Sequence, residues 1–294
     1  MSALFGSVGD TVLSGPGGEL RIGDDHPFVV IGERINPTGR SKLTEQFVAG
    51  DYSLAKADAV AQVEAGARVL DLNAGIPGYD EAEMLTALVR AVHEVVHVPL
   101  CIDSSTPEAL EAAIPAAQGK VLINSVTAEQ ESMDRLLPLV AKHGAAVVGM
   151  ANDEEGPSMD PTVRLACARK IVETAAAHGI VAADVVIDPI AMPIGAAPDA
   201  ATAMYETVRL IRTELGVNTS CGASNISFGM PDRHEIDAVF LPHAILAGMN
   251  AAITNPLHRP VRKAILATDV LLGRDEMAMA WITAHRAELA SAEA

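Results

Sequence analysis

Short apolar runs alternate with amphipathic helical patterns along almost the whole sequence, and this alternation is what most constrains the fold. Several runs end on polar residues, as in RVLDLN at residues 68–73 and DVVIDP at residues 184–189. Such a run is typical of a strand in a parallel sheet that helices cover on both faces. Eight strand–helix units without a linker-like break predict an α/β fold, and specifically a (β/α)8 TIM barrel.

The units can be followed from residue 28 to residue 288. The predicted strands are residues 28–33, residues 69–73, a third strand beginning at Pro99, and residues 121–124, 145–150, 185–188, 219–222 and 251–254. The predicted helices are residues 52–65, residues 81–95, a third helix beginning near Thr106, and residues 133–143, 162–178, 200–215, 235–247, 261–272 and 276–288. Periodicity alone leaves a doubly wound sheet open. That fold predicts GxGxxG after the first strand, where this sequence reads GERINPTG.

The first residues of the chain do not follow the strand–helix pattern. Residues 1–25 are rich in Gly and Ser, so we expect a loose arm or a short hairpin over the barrel floor. Residues 26–294 are then expected to form a single barrel with a C-terminal helix. The 294 residues of the chain accommodate a barrel of about 250 residues together with these extensions.

Composition excludes several classes of partner. The formal net charge of -17 argues against nucleic acid and against anionic membrane surfaces, both of which attract clustered Lys and Arg. The most apolar long stretch, residues 179–198, contains Asp184, Asp188 and three prolines, which is incompatible with a membrane span. The three cysteines have no metal-binding spacing, and the N-terminus has no signal-peptide pattern. We therefore expect a cytoplasmic protein without a bound metal ion.

Polar side chains at the ends of the predicted strands are the best indication of function. In a barrel the carboxyl ends of all strands meet at one mouth, where chemistry takes place. Asp71, Asp103 and Asp188 come from separate strands and are mixed with amides rather than with His, which does not favour a metal site. A pterin ring fits better, because a carboxylate accepts hydrogen bonds from its neighbouring amino and ring N–H groups while Asn supplies donors.

Six motifs follow one another at these strand ends, and together they carry a resemblance. They are IGERINPTGR at residues 31–40, LDLNAG at 70–75, CIDSS at 101–105, INSV at 123–126, DPIAMPIG at 188–195 and GASNISFGMP at 222–231. The series resembles the pterin-binding family of dihydropteroate synthase-like barrels. That family includes methyltetrahydrofolate:corrinoid protein methyltransferases and the folate domain of cobalamin-dependent methionine synthase.

The resemblance implies roles for particular residues. The residues implied to hold the pterin are Asp103, Asn124, Asp188 and Asn225, with Gly222 and Ser224 shaping the pocket. Further possible pterin contacts on shared motifs are Glu33, Asn36, Asp71 and Asn73. Asn225 is also implied to lie close to the pterin N5, which makes it the candidate catalytic residue.

The implied activity is transfer of the N5-methyl group between 5-methyltetrahydrofolate and the cobalt of a corrinoid. Transfer requires proton sharing at N5, because an amine anion is a poor leaving group, and Asn225 would strengthen its hydrogen bond as charge changes there. Tetrahydrofolate is then a substrate, and the cobalamin is expected on a separate corrinoid protein rather than permanently bound. The resemblance also implies a homodimer.

Two other functions remain open from the sequence. A dihydropteroate synthase-like enzyme would carry a Lys-containing segment after the seventh strand and Arg-x-His after the eighth. Here the seventh strand leads into GASNISFG, and His258-Arg259 repeats the second motif only loosely and in reversed order. A non-catalytic folate-binding subunit would make the same pterin contacts, so turnover alone separates it from the methyltransferase.

Overall fold

The computed structural model describes residues 7–292, so the first six residues of the predicted arm and the last two residues of the chain lie outside the described part. The strands are β1 Thr11–Gly15, β2 Gly18–Ile22, β3 Val29–Ile35, β4 Val69–Asn73, β5 Leu100–Asp103, β6 Leu122–Thr127, β7 Ala146–Met150, β8 Val185–Asp188 and β9 Ala251–Thr254. The helices are α1 Ser41–Val48, α2 Ser53–Glu64, α3 Glu81–His93, α4 Pro107–Ala113, α5 Gln130–His143, α6 Pro161–Ala177, α7 Ala200–Glu214, α8 Arg233–Ala247, α9 Arg259–Leu271 and α10 Met279–Ala292.

Seven of these strands form one parallel sheet in the order β8-β7-β6-β5-β4-β3-β9. The predicted seventh strand lies between the two edges of this sheet and closes it. Thr219 bridges to Ile187 of β8, and Gly222 bridges to Ile253 of β9, both in parallel. This closure, with helices packed outside, confirms the (β/α)8 barrel and removes both sheet edges.

The closing segment, residues 218–222, makes single bridges to its two neighbours, and one side chain takes part in its pairing. The N–H of Thr219 donates to the side-chain Oδ1 of Asn250 at 3.2 Å. The N–H groups of Asn250 and Ala251 both donate to the carbonyl oxygen of Thr219. The strand predicted at residues 219–222 is therefore present in position but irregular in hydrogen bonding.

Two helical features differ from the prediction. Helix α1 was not predicted, because its eight residues bury only Leu43 and Phe47 and it has no side-chain cap. The final helix was predicted from Glu276, but residues 276–278 form a 3-10 turn in which Met277 has φ +53°, and α10 begins only at Met279. Among the described residues, no helix is long and apolar enough to cross a membrane.

The hairpin β1–β2 covers the amino-terminal ends of the barrel strands. Leu13 and Ile22 are fully buried and join the side chains that fill the barrel interior. The N–H of Ser14 donates to the carbonyl of Lys120, two residues before β6, at 3.0 Å. One end of the barrel is thereby closed, which leaves the carboxyl-terminal mouth as the open end.

A buried polar network fastens the segment after this hairpin to the closing segment. Arg212 of α7 is fully buried, and its Nη2 donates to both carboxylate oxygens of Asp24 at 2.6 and 2.5 Å. Asn250 donates to the same carboxylate at 2.9 Å, and Asn218 donates to the carbonyl of Ile22 at 2.9 Å. The network joins the barrel floor to the point where the barrel closes.

We expect Asp24→Ala to lower the free energy of unfolding by about 3 kcal/mol, since it leaves a buried guanidinium without its carboxylate. Urea denaturation followed by circular dichroism measures the loss. Asp25→Ala changes the exposed neighbouring carboxylate and should leave the midpoint unchanged. Equal midpoints for both variants would show that the network does not stabilise the closure.

Candidate functional site

The register of three neighbouring strands places a row of polar side chains at the barrel mouth. Asn73 of β4 lies opposite Asp103 of β5, which in turn lies opposite Asn124 of β6. Alternate residues of a barrel strand face the interior, and Cys101 and Leu122, two positions below, pack in the barrel interior. The three polar residues therefore face inward at one level.

Carboxylates and amides pair within and beneath this row. Asn73 Nδ2 donates to Asp103 Oδ2 at 3.0 Å, and Asn124 Nδ2 donates to Asp71 Oδ1 at 3.3 Å. The N–H of Gly75 donates to Asn73 Oδ1 at 2.9 Å and so fixes that amide. The structure thus brings together four residues that the sequence predicted from three separate motifs.

Burial governs the ionisation of the two carboxyl groups. Desolvation raises the pKa of Asp71, and the nearby Asp103 raises it further, against the hydrogen bonds from Cys101 and Asn124. Desolvation also raises the pKa of Asp103, and the hydrogen bond from Asn73 opposes that shift. Two acidic groups this close do not both ionise readily, so the pair retains a proton towards neutral pH.

Asp188 presents a third carboxylate from β8, across the mouth from β4 and β5. Its Oδ1 accepts a hydrogen bond from the N–H of Ile190 at 2.7 Å, and the N–H of Gly222 also donates to it. Burial raises the pKa of Asp188 to about 6, while these two donors and the charge of Arg164 lower it. At pH 7 the group is largely ionised and accepts hydrogen bonds.

Arg164 of α6 holds the loop that follows Asp188. This side chain is fully buried, and its Nη1 donates to the carbonyls of Pro189 and Ile190 at 2.8 and 3.0 Å. Ile190 has φ +64°, a left-handed conformation that is an outlier for a β-branched residue and persists only where surrounding contacts impose it. Arg164 supplies those contacts, and its charge also lowers the pKa of Asp188.

Asn225 lies in a 3-10 turn, Ala223–Asn225, that follows the closing segment. A Cβ on Gly222 would lie 2.9 Å from Asn225 Nδ2, so the absence of a side chain at Gly222 lets the amide fold back over the backbone. Asn225 is exposed at the mouth. The glycine and the asparagine of GASN therefore act as one local unit.

Side-chain hydrogen bonds fix this turn to β3 and α8. Ser224 Oγ donates to Glu33 Oε2 at 2.7 Å, which ties the turn to β3. Arg233 donates through Nη2 to the carbonyl of Ser224 and through Nε to Ser227 Oγ at 3.1 Å. Burial raises the pKa of Glu33, against the hydrogen bond from Ser224.

Asn36 lies apart from the other predicted residues. It follows β3, and its Oδ1 accepts a hydrogen bond from the N–H of Thr38 at 2.9 Å, as in an Asx turn. The structure thus gives its carboxamide oxygen a local role in the turn before α1.

The prediction did not identify the residues that hold the site from outside the strands. Arg164 and Arg233 act from helices, and Glu81 accepts hydrogen bonds from Ser104 Oγ at 2.5 Å and Thr106 Oγ1 at 2.9 Å after β5. Nothing in the local sequence distinguishes these from other helical charges. Asn152 is a polar residue that lies two residues after the end of β7, so it fits the pattern of polar strand ends used in the prediction. Its buried Oδ1 has no hydrogen-bond partner among the described residues.

The charge of Arg164 should set the titration of Asp188. Arg164→Met removes the cation that favours the carboxylate, so the pKa of Asp188 should rise above about 6, and unfolding should become about 2 kcal/mol easier. The pH titration of the Asp188 carboxyl carbon by NMR measures the first effect. Arg169→Met, on the exposed face of the same helix, is the control. An unshifted Asp188 titration in Arg164→Met would contradict the electrostatic coupling.

Comparison with known proteins agrees with this geometry. The sequence profile of the family described as pterin binding enzymes matches residues 32–255. The chain is 33% identical over 267 residues to a methylcorrinoid:tetrahydrofolate methyltransferase of Eubacterium limosum, covering 88% of this chain and 96% of the relative. It is 30% identical over 270 residues to methionine synthase of Mycobacterium tuberculosis, covering 85% of this chain and 23% of that longer protein.

Solved structures of dihydropteroate synthases share the fold. The enzyme of Xanthomonas albilineans with 4-aminobenzoic acid superposes with a TM-score of 0.66 at 23% identity, covering 91% of this chain and 99% of that one. The enzyme of Thermus thermophilus gives a TM-score of 0.63 at 20% identity, covering 88% and 99%. The family profile spans most of the barrel, including every predicted site residue, and the chain therefore belongs to the pterin-binding enzyme family.

Proposed function

We propose that this protein transfers the N5-methyl group between 5-methyltetrahydrofolate and the cobalt of a corrinoid carried by a separate protein. The observation that carries the proposal is the mouth itself, where paired carboxylates and amides face an exposed Asn225. The relative named methylcorrinoid:tetrahydrofolate methyltransferase, matched over 96% of its length, supports the same activity.

The pterin would lie flat across the mouth. The ionised Asp188 would accept from the amino group and ring N–H of the pyrimidine edge, in the manner of a carboxylate with a guanidinium. Asp103 and Asn124, on the adjoining strands, would pair with the remaining donors and acceptors of the ring. Gly222 and Ser224 would shape the wall on which the other edge of the ring rests.

Asn225 would act at N5. Its amide nitrogen lies close to the backbone of Gly222 at the exposed mouth, where it could donate a hydrogen bond that strengthens as charge changes at N5. The raised pKa values of Asp71 and Asp103 let the pair retain a proton towards neutral pH, which suits a reaction that must share a proton with a departing amine.

The corrinoid enters as a second substrate and supplies the methyl-accepting or methyl-donating cobalt. Asn225 is exposed and Phe228 is 66% exposed beside it, so the strand-seven side of the mouth is open to a docking protein. The homodimer stays a prediction of the resemblance, and the cytoplasmic location stays a prediction of the cysteine usage and the N-terminal sequence.

The alternatives receive less support. The likeness to dihydropteroate synthases, at 20 to 23% identity, is a likeness of fold. A dihydropteroate synthase-like enzyme would carry a Lys in the turn after the closing segment, where this chain has Ser224 and Asn225. A non-catalytic folate-binding subunit would bind pterin equally well, and turnover distinguishes it from the methyltransferase.

Asn225→Ala should lower the rate of methyl transfer about 100-fold or more, while the affinity for tetrahydrofolate falls less than about tenfold. The measurement is anaerobic mixing with 5-methyltetrahydrofolate and cob(I)alamin, followed by the absorbance of methylcobalamin. Gln130→Ala, an exposed carboxamide at the start of α5, is the control. Equal losses of rate and affinity would remove the proposed role at N5, and a wild-type protein that binds pterin without turnover would support the binding-subunit alternative.

Asp188→Asn should weaken tetrahydrofolate binding about 100-fold, since it replaces the charged acceptor by an amide of similar shape. In the wild-type protein the affinity should fall as pH drops through about 6, because protonation of Asp188 removes the same acceptor. Isothermal titration calorimetry measures both effects. Asp199→Asn, at the exposed start of α7, should bind normally, and an unchanged affinity in Asp188→Asn would mean that the ring lies elsewhere.

A further inference from the structure

Strand β3 contains a bulge near its carboxyl-terminal end. Between Gly32 and Ile35 it advances three residues, while its partner β4 advances two, from Leu70 to Leu72. Ile31 belongs to the apolar cluster inside the barrel, whereas Ile35 belongs to the cluster between the strands and the helices. A regular strand would turn these two side chains to the same face. The extra residue therefore reverses the alternation of side chains at the end of β3.

Gln62 of α2 holds the backbone of this bulge. Its Oε1 accepts a hydrogen bond from the N–H of Arg34 at 2.9 Å. A Cβ on Gly32 would lie 2.6 Å from the same Oε1, so the absence of a side chain at Gly32 lets the carboxamide reach the strand. Gln62 is fully buried, and among the described residues its Nε2 has no hydrogen-bond partner. Burial of an unpaired amide costs stability, so packing alone does not account for a glutamine here.

The carbonyl group of Arg34 is held from the same helix. Arg40 Nη1 donates a hydrogen bond to this carbonyl, and it also donates to Asp58 Oδ2 at 2.6 Å. Asp58 and Gln62 are four residues apart on α2 and therefore lie on one face of that helix. Both backbone polar groups of Arg34 are thus fixed by α2, the N–H by Gln62 and the carbonyl through Arg40.

The bulge directs Glu33 towards the turn that carries Asn225. Ser224 Oγ, in that turn, donates to Glu33 Oε2 at 2.7 Å. Since β9 pairs with β3 on one side and with Gly222 on the other, the Glu33 side chain has to span the end of β9 to make this bond. A small displacement of the β3 backbone would therefore withdraw the carboxylate from Ser224 and release the turn from β3.

We propose that Gln62 is a positioning residue of the methyl-transfer site. By accepting the hydrogen bond from the N–H of Arg34 it fixes the bulge, the bulge places Glu33 against Ser224, and that contact holds Asn225. Gln62 lies on the helix side of β3, so it acts on the site through this series of contacts. The inference rests on the proposed function for the role of Asn225, whereas the coupling of Gln62 to the turn can be measured without turnover.

The first test is amide hydrogen exchange of residues 223–228 followed by mass spectrometry. Gln62→Met removes the acceptor and keeps the length of the side chain, so exchange in this segment should become about fivefold faster or more. Gln62→Glu keeps an acceptor oxygen and should restore slow exchange. Gln46→Met is the matched control, because Gln46 Oε1 also accepts a backbone hydrogen bond, from the N–H of Leu54 at the junction of α1 and α2.

The second test is a double-mutant cycle on the rate of methyl transfer from 5-methyltetrahydrofolate to cob(I)alamin. Gln62→Met should lower this rate about tenfold, while the affinity for tetrahydrofolate changes less than about threefold. The double variant with Glu33→Gln should be no slower than the slower single variant, because both changes break the same series of contacts. Independent structural effects would instead multiply. Gln46→Met should keep the wild-type rate.

The outcomes separate the positioning role from the activity. Unchanged exchange of residues 223–228 in Gln62→Met, or rate losses that multiply in the double variant, would overturn the inference. Arg40→Met releases the carbonyl of Arg34 and should also make this exchange faster, so it decides the question if Gln62→Met does not fold. Faster exchange in these variants of a protein that shows no methyl transfer would keep the coupling of Gln62 to the turn and remove the proposed function.

Discussion

The parallel register of β4, β5 and β6 is the constraint on which the site depends. It places Asn73, Asp103 and Asn124 at one level of the barrel and Asp71 two residues earlier on β4. Amide groups therefore donate hydrogen bonds to carboxylates of neighbouring or nearby strands. A shift of one residue in any of these strands would turn the polar side chains towards the helices and leave them unpaired in an apolar layer. The same backbone hydrogen bonds thus form the sheet and bring the polar side chains of the site together.

Closure of the barrel at residues 218–222 connects the floor to the mouth. Asn218 contacts the hairpin and Thr219 pairs with Asn250, whereas Gly222 donates to Asp188 and makes room for Asn225. The segment therefore joins structural contacts at one end to site contacts at the other within five residues. Its irregular pairing is compatible with this dual role, because the side chain of Asn250 accepts the hydrogen bond from the Thr219 N–H and the side chain of Asn218 bonds to the hairpin.

Much of this arrangement follows from sequence, because strand and helix periodicity and strand-end polarity are local signals. They located all eight barrel strands and the inward-facing Asp103, Asn124 and Asp188, although the role of each in binding pterin stays a prediction. These local signals do not predict tertiary contacts. Nothing near Arg164 in the chain indicates that it reaches the carbonyls of Pro189 and Ile190, and helix α1, with two buried side chains, has too weak a pattern to recognise.

Charge is distributed unevenly around the mouth, and this asymmetry matches the shape of a folate. The side formed by β4 and β5 holds buried carboxyl groups of raised pKa, which suit the neutral, donor-rich pterin ring. The side formed by β3 and α8 holds Arg34 and Arg233. Reversing the proposed orientation of the ligand would place its carboxylates against Asp71 and Asp103. The electrostatics of the mouth therefore agree with the proposed orientation, in which N5 would lie at Asn225.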